Sequence, residues 1–169
     1  MSNLLLRPLT IDDEVQFMAA HEQLLADGFT WALGREPEMN WQSYLDRLEA
    51  NRLGVELAEG NVPSTFLVAD VEGKIVGRTS IRHELNEFLA SEGGHIGFGV
   101  VPEERRKGYA TEILRQSLEV ARALGVERVL ITCGDDNIGS AAVIVRCEGV
   151  FESVVVESKG KLMRRYWIG

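Results

Sequence analysis

Apolar residues recur along this chain with two periods, and these periods divide it into helices and strands. Spacings of three and four residues predict helices over residues 11–25, 41–53, 109–124 and 137–148. Alternation and short β-branched runs predict strands over residues 4–8, 66–70, 74–82, 93–101, 128–133, 150–157 and 162–168. Residues 83–90 fit either a helical turn or a loop.

The order of these segments indicates one mixed α/β domain over residues 1–169. A strand and two helices come first, three strands follow, and the rest of the chain alternates helix, strand, helix and two strands. We therefore expect a central mixed sheet flanked by helices. The chain contains no internal repeat and no low-complexity linker that would mark a second domain.

The first helix and the last strand carry finer expectations. Thr10 and Asp13 are spaced as a capping box at the start of the first helix. The apolar stripe of that helix, which we expect to face the core, runs through Val15, Met18, Glu22 and Leu25. In the last strand, alternation sends Arg164 and Tyr166 to one face and Arg165 and Trp167 to the other, and we expect this strand to lie at a sheet edge.

Composition narrows the classes of function. Hydrophobic residues make up 45% of the chain, and its net charge of −8 disfavours nucleic acid as the main partner. That charge suits a cationic acceptor such as an amine, and it suits ordinary solubility equally well. No run is apolar enough for a membrane helix, and the start does not resemble an export signal, so we expect a cytoplasmic protein. Cys133 and Cys147 are expected to be reduced, and the three histidines lack metal-ligand spacing.

The segment 94–111 contains the chemistry-bearing pattern of the chain. A strand ends at Pro102, a basic turn follows over residues 105–107, and Gly108 leads into a long amphipathic helix. The start of a helix offers unpaired N–H donors and the positive end of its dipole, so an anion is stabilised there. Gly108 has no β-carbon where a phosphate would approach, and Ala110 keeps the next contact small. This pattern favours a pyrophosphate-binding turn.

Other phosphate-binding patterns do not fit. The chain has no Gly-x-x-x-x-Gly-Lys-Ser/Thr loop, which argues against a P-loop kinase or NTPase. Gly94, Gly97 and Gly99 approximate a dinucleotide fingerprint, but they lie inside a strand and not between a strand and a helix. Glycines there would weaken an ordinary central strand, which indicates that something approaches its backbone closely.

These motifs resemble those of the GNAT acetyltransferase superfamily. Arg105-x-x-Gly108-x-Ala110 matches its Gln/Arg-x-x-Gly-x-Gly/Ala signature, and Asn137-x-x-Ser140 followed by Gly149 matches its second landmark. The element order agrees over nearly the whole chain, so the resemblance implies the GNAT fold. The chain looks most similar to a bacterial subgroup of predicted acetyltransferases that share the segments 81–86, 93–97 and 165–168.

The resemblance implies that the chain is an N-acetyltransferase with acetyl-CoA as co-substrate and an amine as acceptor. Phe98, Gly99 and Val100 would then bind the pantetheine arm and the thioester carbonyl. The pyrophosphate would lie on the turn made by Arg105, Arg106, Lys107, Gly108, Tyr109, Ala110 and Thr111. Asn137 and Ser140 would line the cofactor further along. The first helices and residues 82–88, including Arg82 and Asn86, would shape the acceptor pocket.

The catalytic groups are less determined. His83 and Glu87 are four residues apart, so a helical turn would place them on one side. They are our candidates for the general base that deprotonates the amine, with Glu84 and His95 as further candidates. Many superfamily members carry a tyrosine four residues after the motif serine as a general acid, and this chain has Ile144 there.

Three hypotheses therefore stay open at this point. The first is an active N-acetyltransferase, in which Tyr109, Tyr166 or water replaces the missing acid or the thiolate leaves without one. Alternatively, the chain is a non-catalytic acyl-CoA-binding regulatory module. A third hypothesis is a structural subunit whose aromatic residues mark a partner surface. We expect a monomer or a homodimer.

Overall fold

Two antiparallel sheets and four α-helices make up the part of the chain that the structure, a computed structural model, describes, residues 3–169. The strands are β1 Leu4–Arg7, β2 Ser64–Val71, β3 Lys74–Arg82, β4 Ile96–Val100, β5 Val129–Gly134, β6 Val150–Val156 and β7 Leu162–Ile168. The helices are α1 Glu14–Leu25, α2 Trp41–Leu53, α3 Tyr109–Ala123 and α4 Ile138–Arg146. The predicted α/β class and the predicted order of helices and strands are confirmed.

The strands form two sheets, with the orders β1-β2-β3-β4 and β5-β7-β6. The sheets meet where β4 begins beside β5. There the His95 amide donates to the Leu130 carbonyl at 2.7 Å, and the Leu130 amide donates to His95 Nδ1 at 2.9 Å. In place of the predicted central mixed sheet, the structure has two antiparallel sheets that share a core and are hydrogen-bonded where β4 begins, at a point that we call the His95–Leu130 junction.

Helices cover both faces of the first sheet, so its central strand β3 is buried from Ile75 to Ile81. On one face α3 packs Ile113 and Leu114 against the sheet, as its apolar periodicity predicts. On the other face an aromatic cluster fills the space beneath α1 and α2; its members include Phe17, Trp31, Trp41, Tyr44 and Phe66. Burial on both faces explains why alternation in β3 does not separate core from surface positions.

The predicted stripe of α1 is wrong except at Met18, which is half-buried against the core. Val15 is 84% exposed and Leu25 is 57% exposed, while Phe17, Ala20 and Leu24 face the core. The reason is the aromatic cluster, because the Phe17 ring packs 5.6 Å from Trp31 and from Trp41, centroid to centroid. These contacts, which come from loop and α2 residues distant in sequence, fix the rotation of α1.

The start of this helical segment agrees with its sequence signal in one respect. The Thr10 amide donates to Asp13 at 2.7 Å, which is one half of the predicted capping box. Asp13 also accepts from Arg7 at 2.7 and 2.9 Å, and these bonds hold its pKa below the usual range although burial acts in the opposite direction. The segment begins with a 3₁₀ turn, Ile11–Asp13, before α1.

Two further expectations need correction. The last strand is not an edge, because β7 lies between β5 and β6. In addition, β4 begins at Ile96 and not at residue 93, since Leu89–Gly93 forms a π-helical turn that closes at Gly94 with φ +65° and ψ −176°. That backbone geometry is accessible essentially only to glycine.

Gly94→Ala tests the His95–Leu130 junction. A β-carbon on Gly94 would lie 2.7 Å from the Leu130 carbonyl oxygen, so the two sheets would have to separate locally. We expect the free energy of unfolding to fall by about 2 kcal/mol more than in Gly160→Ala. Gly160 is the matched control, because its φ is +82° and its β-carbon would meet nothing within 4 Å. Equal losses in urea unfolding would contradict this account of the junction.

Candidate active site

A slot opens between β4 and β5 beyond the His95–Leu130 junction. The main-chain N–H of Arg82 donates to the His95 carbonyl at 2.7 Å, and the main-chain N–H of Val101 donates to the Val76 carbonyl at 2.9 Å. Hydrogen-bonded and non-bonded residue pairs alternate in an antiparallel ladder. Between these two bonds, the N–H groups of Gly97 and Gly99 therefore point toward β3. The N–H groups of Phe98 and Val100 therefore point away from β3, toward β5.

The opposite wall of this slot is β5. The main-chain N–H of Asp135 donates to the Leu162 carbonyl at 2.9 Å. The register of β5 with β7 then points the N–H groups of Thr132 and Gly134 away from β7, toward β4. The structure pairs β4 only with β3 and β5 only with β7 within residues 3–169. The β4–β5 slot thus presents free main-chain donors and acceptors to anything extended that enters it.

The mouth of the β4–β5 slot is the N-terminus of α3. Gly108 is the N-cap residue with φ +85°, and a β-carbon there would meet no atom within 4 Å. Its carbonyl accepts from Glu112 at 3.3 Å, so the amides of the three preceding residues, Tyr109, Ala110 and Thr111, have no acceptor within the helix. Open space, free donors and the positive end of a helix of 15 residues coincide at this point.

The three basic residues of the turn do not contribute equally. Lys107 Nζ lies 2.8 Å from the Glu104 carboxylate, which also pairs with Lys74, so much of the Lys107 charge is compensated. Arg105 Nε donates to the Val100 carbonyl at 3.3 Å and holds the end of β4. Arg106 is exposed, and no carboxylate in the described chain pairs with it. Arg105 likewise pairs with no carboxylate in the described chain, so both arginines supply positive charge to the turn.

The Asn-x-x-Ser motif has a structural role in this chain. Asn137 is the N-cap of α4, and its Oδ1 accepts from the Ser140 amide at 3.1 Å. Ile144, one turn further on, is fully buried in the core beneath α3 and α4. The side chain of Ile144 also lies against the turn after α4. It lies so close to Gly149 that a β-carbon there would overlap it.

A cavity of about 260 Å³ lies on the other face of the first sheet, away from α3. Phe66, Ser80 and Arg82 form its floor; Leu48 and Asn51 of α2 form one wall; Phe88, Leu89 and Gly60 are among the residues that close it. We call it the Arg82 cavity. A wider depression of about 740 Å³ lies at the end of β5, where Asp135 pairs with Arg164 at 2.7 Å.

The glycines of β4 make room for side chains on the cavity face. A β-carbon on Gly99 would lie 2.6 Å from the Phe29 ring, and one on Gly97 would lie 3.3 Å from the Arg82 guanidinium. The sequence indicated a close approach at these glycines, and the structure identifies Phe29 and Arg82 as the groups that approach. The opposite edge of the same strand carries the free amides of the β4–β5 slot.

Arg78 is a residue that the sequence prediction missed. Its side chain is 4% exposed, donates to the Gly97 carbonyl at 3.2 Å and the Thr30 carbonyl at 2.6 Å, and lies 4.6 Å from the Phe29 ring centroid. Burial lowers the pKa of Arg78 to about 9, and the like charge of Arg82 acts in the same direction. Arg78 still carries its charge at neutral pH. Polar residues at alternate positions of an otherwise apolar strand were the signal for it.

His83 and Glu87 do not come together in the predicted way. Residues 83–86 are not helical, so the four-residue spacing does not place the two side chains on one side of a helix. His83 Nε2 lies 2.8 Å from Thr65 Oγ1, and burial lowers the pKa of His83, with Arg52 adding to that effect. Glu87 is exposed, and neither residue lines the Arg82 cavity. Their catalytic role stays a prediction.

The remaining candidates are placed more clearly. Because His95 Nδ1 accepts the Leu130 amide, the neutral ring carries its proton on Nε2, which can donate but cannot accept a proton. Asn86 donates to the Gly60 carbonyl at 2.8 Å and accepts from the Leu89 amide at 2.9 Å, so it ties together two walls of the Arg82 cavity. Glu84 is exposed.

Comparisons with known proteins identify the family and the fold. Residues 3–150 match the family described as "Acetyltransferase (GNAT) domain". Similar solved structures include RimJ of Mycobacterium smegmatis in complex with CoA-disulfide, with 19% identity, a TM-score of 0.71, and coverage of 98% of this chain and 81% of that chain.

Two more solved structures share the fold. The microcin C7 self-immunity acetyltransferase MccE, in complex with acetyl-CoA and AMP, is 16% identical with a TM-score of 0.69 over 98% of this chain and 91% of its own. YncA of Salmonella typhimurium, a putative acetyltransferase with acetyl-CoA, is 15% identical with a TM-score of 0.62, over 98% and 92%. No curated protein sequence matches the chain.

Within residues 3–169 there is neither a membrane-spanning helix nor a cluster of metal-ligating side chains. None of the helices in this range is long and apolar enough to cross a membrane. The same residues contain no group of three or more His, Cys, Asp or Glu side chains that could hold a metal ion.

A double-mutant cycle tests the packing between β4 and the cavity face. Gly99→Ala should lower the free energy of unfolding by about 1–3 kcal/mol, because its β-carbon overlaps the Phe29 ring. In a Phe29→Ala background the same substitution should cost clearly less, since the overlapping ring is gone. Urea unfolding of the four proteins measures the coupling. Additive losses would mean that Phe29 does not require a glycine at this position.

Proposed function

This chain belongs to the GNAT acetyltransferase family and is an N-acetyltransferase, and we propose that it binds acetyl-CoA in the β4–β5 slot and acetylates an amine that enters from the Arg82 cavity. The pantetheine arm would run along the free edge of β4, at Phe98, Gly99 and Val100. The pyrophosphate would lie on the turn that leads into α3. RimJ, MccE and YncA support this proposal, because their structures contain CoA-disulfide or acetyl-CoA.

The observation that carries the proposal is the geometry at Gly108. A phosphate needs several donors and no obstructing side chain, and here unpaired amides face space that a β-carbon would enter. The exposed Arg106 adds positive charge to a chain whose net charge is −8. Asn137 and Ser140 lie at the start of α4, after the β5 wall of the slot, where they would line the cofactor further along.

The transfer itself needs an aligned pair of reactants. The neutral amine nitrogen attacks the thioester carbonyl carbon, so a C–N bond forms and the C–S bond breaks with release of the CoA thiolate, and the nitrogen gives up its extra proton to water. Well-oriented reactions between two fixed groups reach effective molarities of about 10⁵ M or more, so holding both reactants beside β4 would account for much of the acceleration. The free N–H of Phe98 or Val100 would donate to the carbonyl oxygen as negative charge develops there.

Proton transfer is the part of the mechanism with the fewest groups available. A protonated amine must lose a proton before attack, and His83 and Glu87 are our candidates for this step, directly or through water. Ile144 cannot donate a proton, and Tyr166 is only 3% exposed within the core. We propose that the thiolate leaves without a dedicated acid, because a thiol with a pKa of about 8.5 is a good leaving group.

Ile144 also favours a second candidate function. Complete burial of a hydrocarbon at the position of the usual acid fits a domain that binds acyl-CoA as a regulatory ligand without turnover. The partly exposed Tyr109, at the mouth of the β4–β5 slot, is the tyrosine that would have to replace the acid if one is required.

We propose that the chain acts in the cytoplasm as a monomer or homodimer.

Gly108→Ala tests the pyrophosphate site. The added β-carbon should obstruct the phosphate and raise the Kd for CoA by roughly tenfold or more, which is about 1.4 kcal/mol or more. The matched control is Gly125→Ala at the other end of α3, because its φ is +87° and its β-carbon also meets nothing within 4 Å. Both variants should lose similar stability, and only the first should lose CoA affinity by calorimetric titration. Unchanged affinity in Gly108→Ala would refute the site.

Thiol release tests turnover. The wild-type protein should release CoASH from acetyl-CoA with at least one member of a panel of primary amines, and mass spectrometry should identify the acetylated product. Gly108→Ala should lower that rate at subsaturating acetyl-CoA, while Gly125→Ala should retain it. Tight CoA binding without thiol release on any amine would favour the regulatory module instead.

A further inference from the structure

Two arginines lie on the same face of β3. Arg78 and Arg82 are four positions apart in a strand, with Ser80 between them, so all three side chains point toward the cavity side of the sheet. Arg82 lines the Arg82 cavity, and Arg78 lies in the adjoining core against Phe29. Two positive charges are therefore held close together on a largely buried surface.

Neither guanidinium has an acidic partner. The ion pairs formed within residues 3–169 include neither Arg78 nor Arg82. No Asp or Glu lines the Arg82 cavity in this part of the chain. The nearby Glu92 carboxylate is used elsewhere, since it accepts from the Ser158 amide at 2.7 Å and the Ser158 hydroxyl at 3.1 Å.

The hydrogen bonds of the two arginines are also incomplete. Arg82 makes one long bond, from Nη1 to the Gly93 carbonyl at 3.4 Å, although a guanidinium has five N–H donors. Arg78 donates to two carbonyls, but its Nε is buried without an acceptor in the described chain. Buried charges without a counter-charge are costly, and in proteins they are normally paired. An anion in the Arg82 cavity would offset that cost.

We propose that the Arg82 cavity binds an anionic group of the acceptor, a carboxylate or a phosphate. Arg82 would donate to this group directly, and Arg78 would add positive charge behind it. This inference rests on the proposed function, because it assigns the acceptor of the same transfer. The acceptor is then an amine that carries its own negative charge, such as an amino acid or an aminoalkyl phosphate, and not a polycation.

The position of Arg82 limits the distance between the two groups of the acceptor. Its guanidinium lies over Gly97, the residue next to Phe98, whose N–H faces the β4–β5 slot. Adjacent residues of a strand are about 3.3 Å apart along its axis. An anion on Arg82 and an amine at the thioester carbonyl would therefore be separated by only a few bonds. A cavity of about 260 Å³ has room for a small substituent beside them.

Matched acceptor pairs test the proposal in the wild-type protein. Leucine is compared with isoamylamine, which lacks its carboxylate, and phosphoethanolamine is compared with ethanolamine, which lacks its phosphate. In at least one pair we expect kcat/KM for the anionic member to be higher by roughly tenfold or more. The pair that shows the preference distinguishes a carboxylate from a phosphate. Equal values, or a preference for the neutral members, would overturn the inference.

Arg82 variants then connect the preference to this side chain. Arg82→Gln should raise KM for the preferred anionic acceptor by roughly tenfold or more, and this increase should exceed any change in KM for the matched neutral amine. Arg82→Lys should recover part of the loss, because the charge returns without the bidentate geometry. Arg115→Gln, on the exposed side of α3, is the control for net charge. If Arg82→Gln does not fold, Arg82→Lys and the wild-type ratios decide.

Direct titration separates this inference from the proposed function. Each anionic and neutral amine is titrated into the CoA-bound wild type and into CoA-bound Arg82→Gln, a readout that needs no turnover. Tighter binding of one anionic member that is lost in the variant supports the inference even if no thiol is released. Turnover of amines with no anion preference in binding or rate overturns the inference and leaves the acetyltransferase function intact.

Discussion

The β4–β5 slot depends on the pair of hydrogen bonds between His95 and Leu130. These bonds join two antiparallel sheets at one end of β4, and no ladder continues from there. Because the two strands pair with β3 and β7 instead of with each other, the N–H groups of Phe98 and Val100 stay outside the sheet ladders beyond the junction, while the Val100 carbonyl accepts from Arg105. Gly94 allows the junction, since its backbone geometry and the nearby Leu130 carbonyl both exclude a side chain.

The proposed chemistry follows from what this divergence leaves on each side of β4. One edge of the strand offers free amides to a thioester, and the α3 N-terminus beyond it offers donors to a pyrophosphate. The cavity face of the same strand has glycines under Phe29 and Arg82. One strand of five residues therefore separates the proposed donor site from the proposed acceptor site, and it would bring an amine and a thioester within reach of each other.

Local signals were sufficient for most elements and for the anion-binding turn. The bounds of α2, β3 and β7 agree with their periodicity, and Gly108 was identified from a strand, a basic turn and a helix in succession. The errors concern contacts between distant residues. The rotation of α1 depends on aromatic packing with the segment around Trp31 and with α2, and the central position of β7 depends on pairing with β5 across the intervening α4. Nothing in the sequence near Arg78 reveals that no acid will face it.

Amide hydrogen exchange read by NMR tests the central claim most directly. In the free protein, Phe98 and Val100 should exchange quickly, while Gly97 and Gly99, whose amides are bonded to β3, should exchange slowly. Addition of CoA should slow Phe98 and Val100 together with the first amides of α3, Tyr109 to Thr111. Slow exchange of Phe98 and Val100 before CoA is added, or protection by CoA only at other amides, would contradict the account.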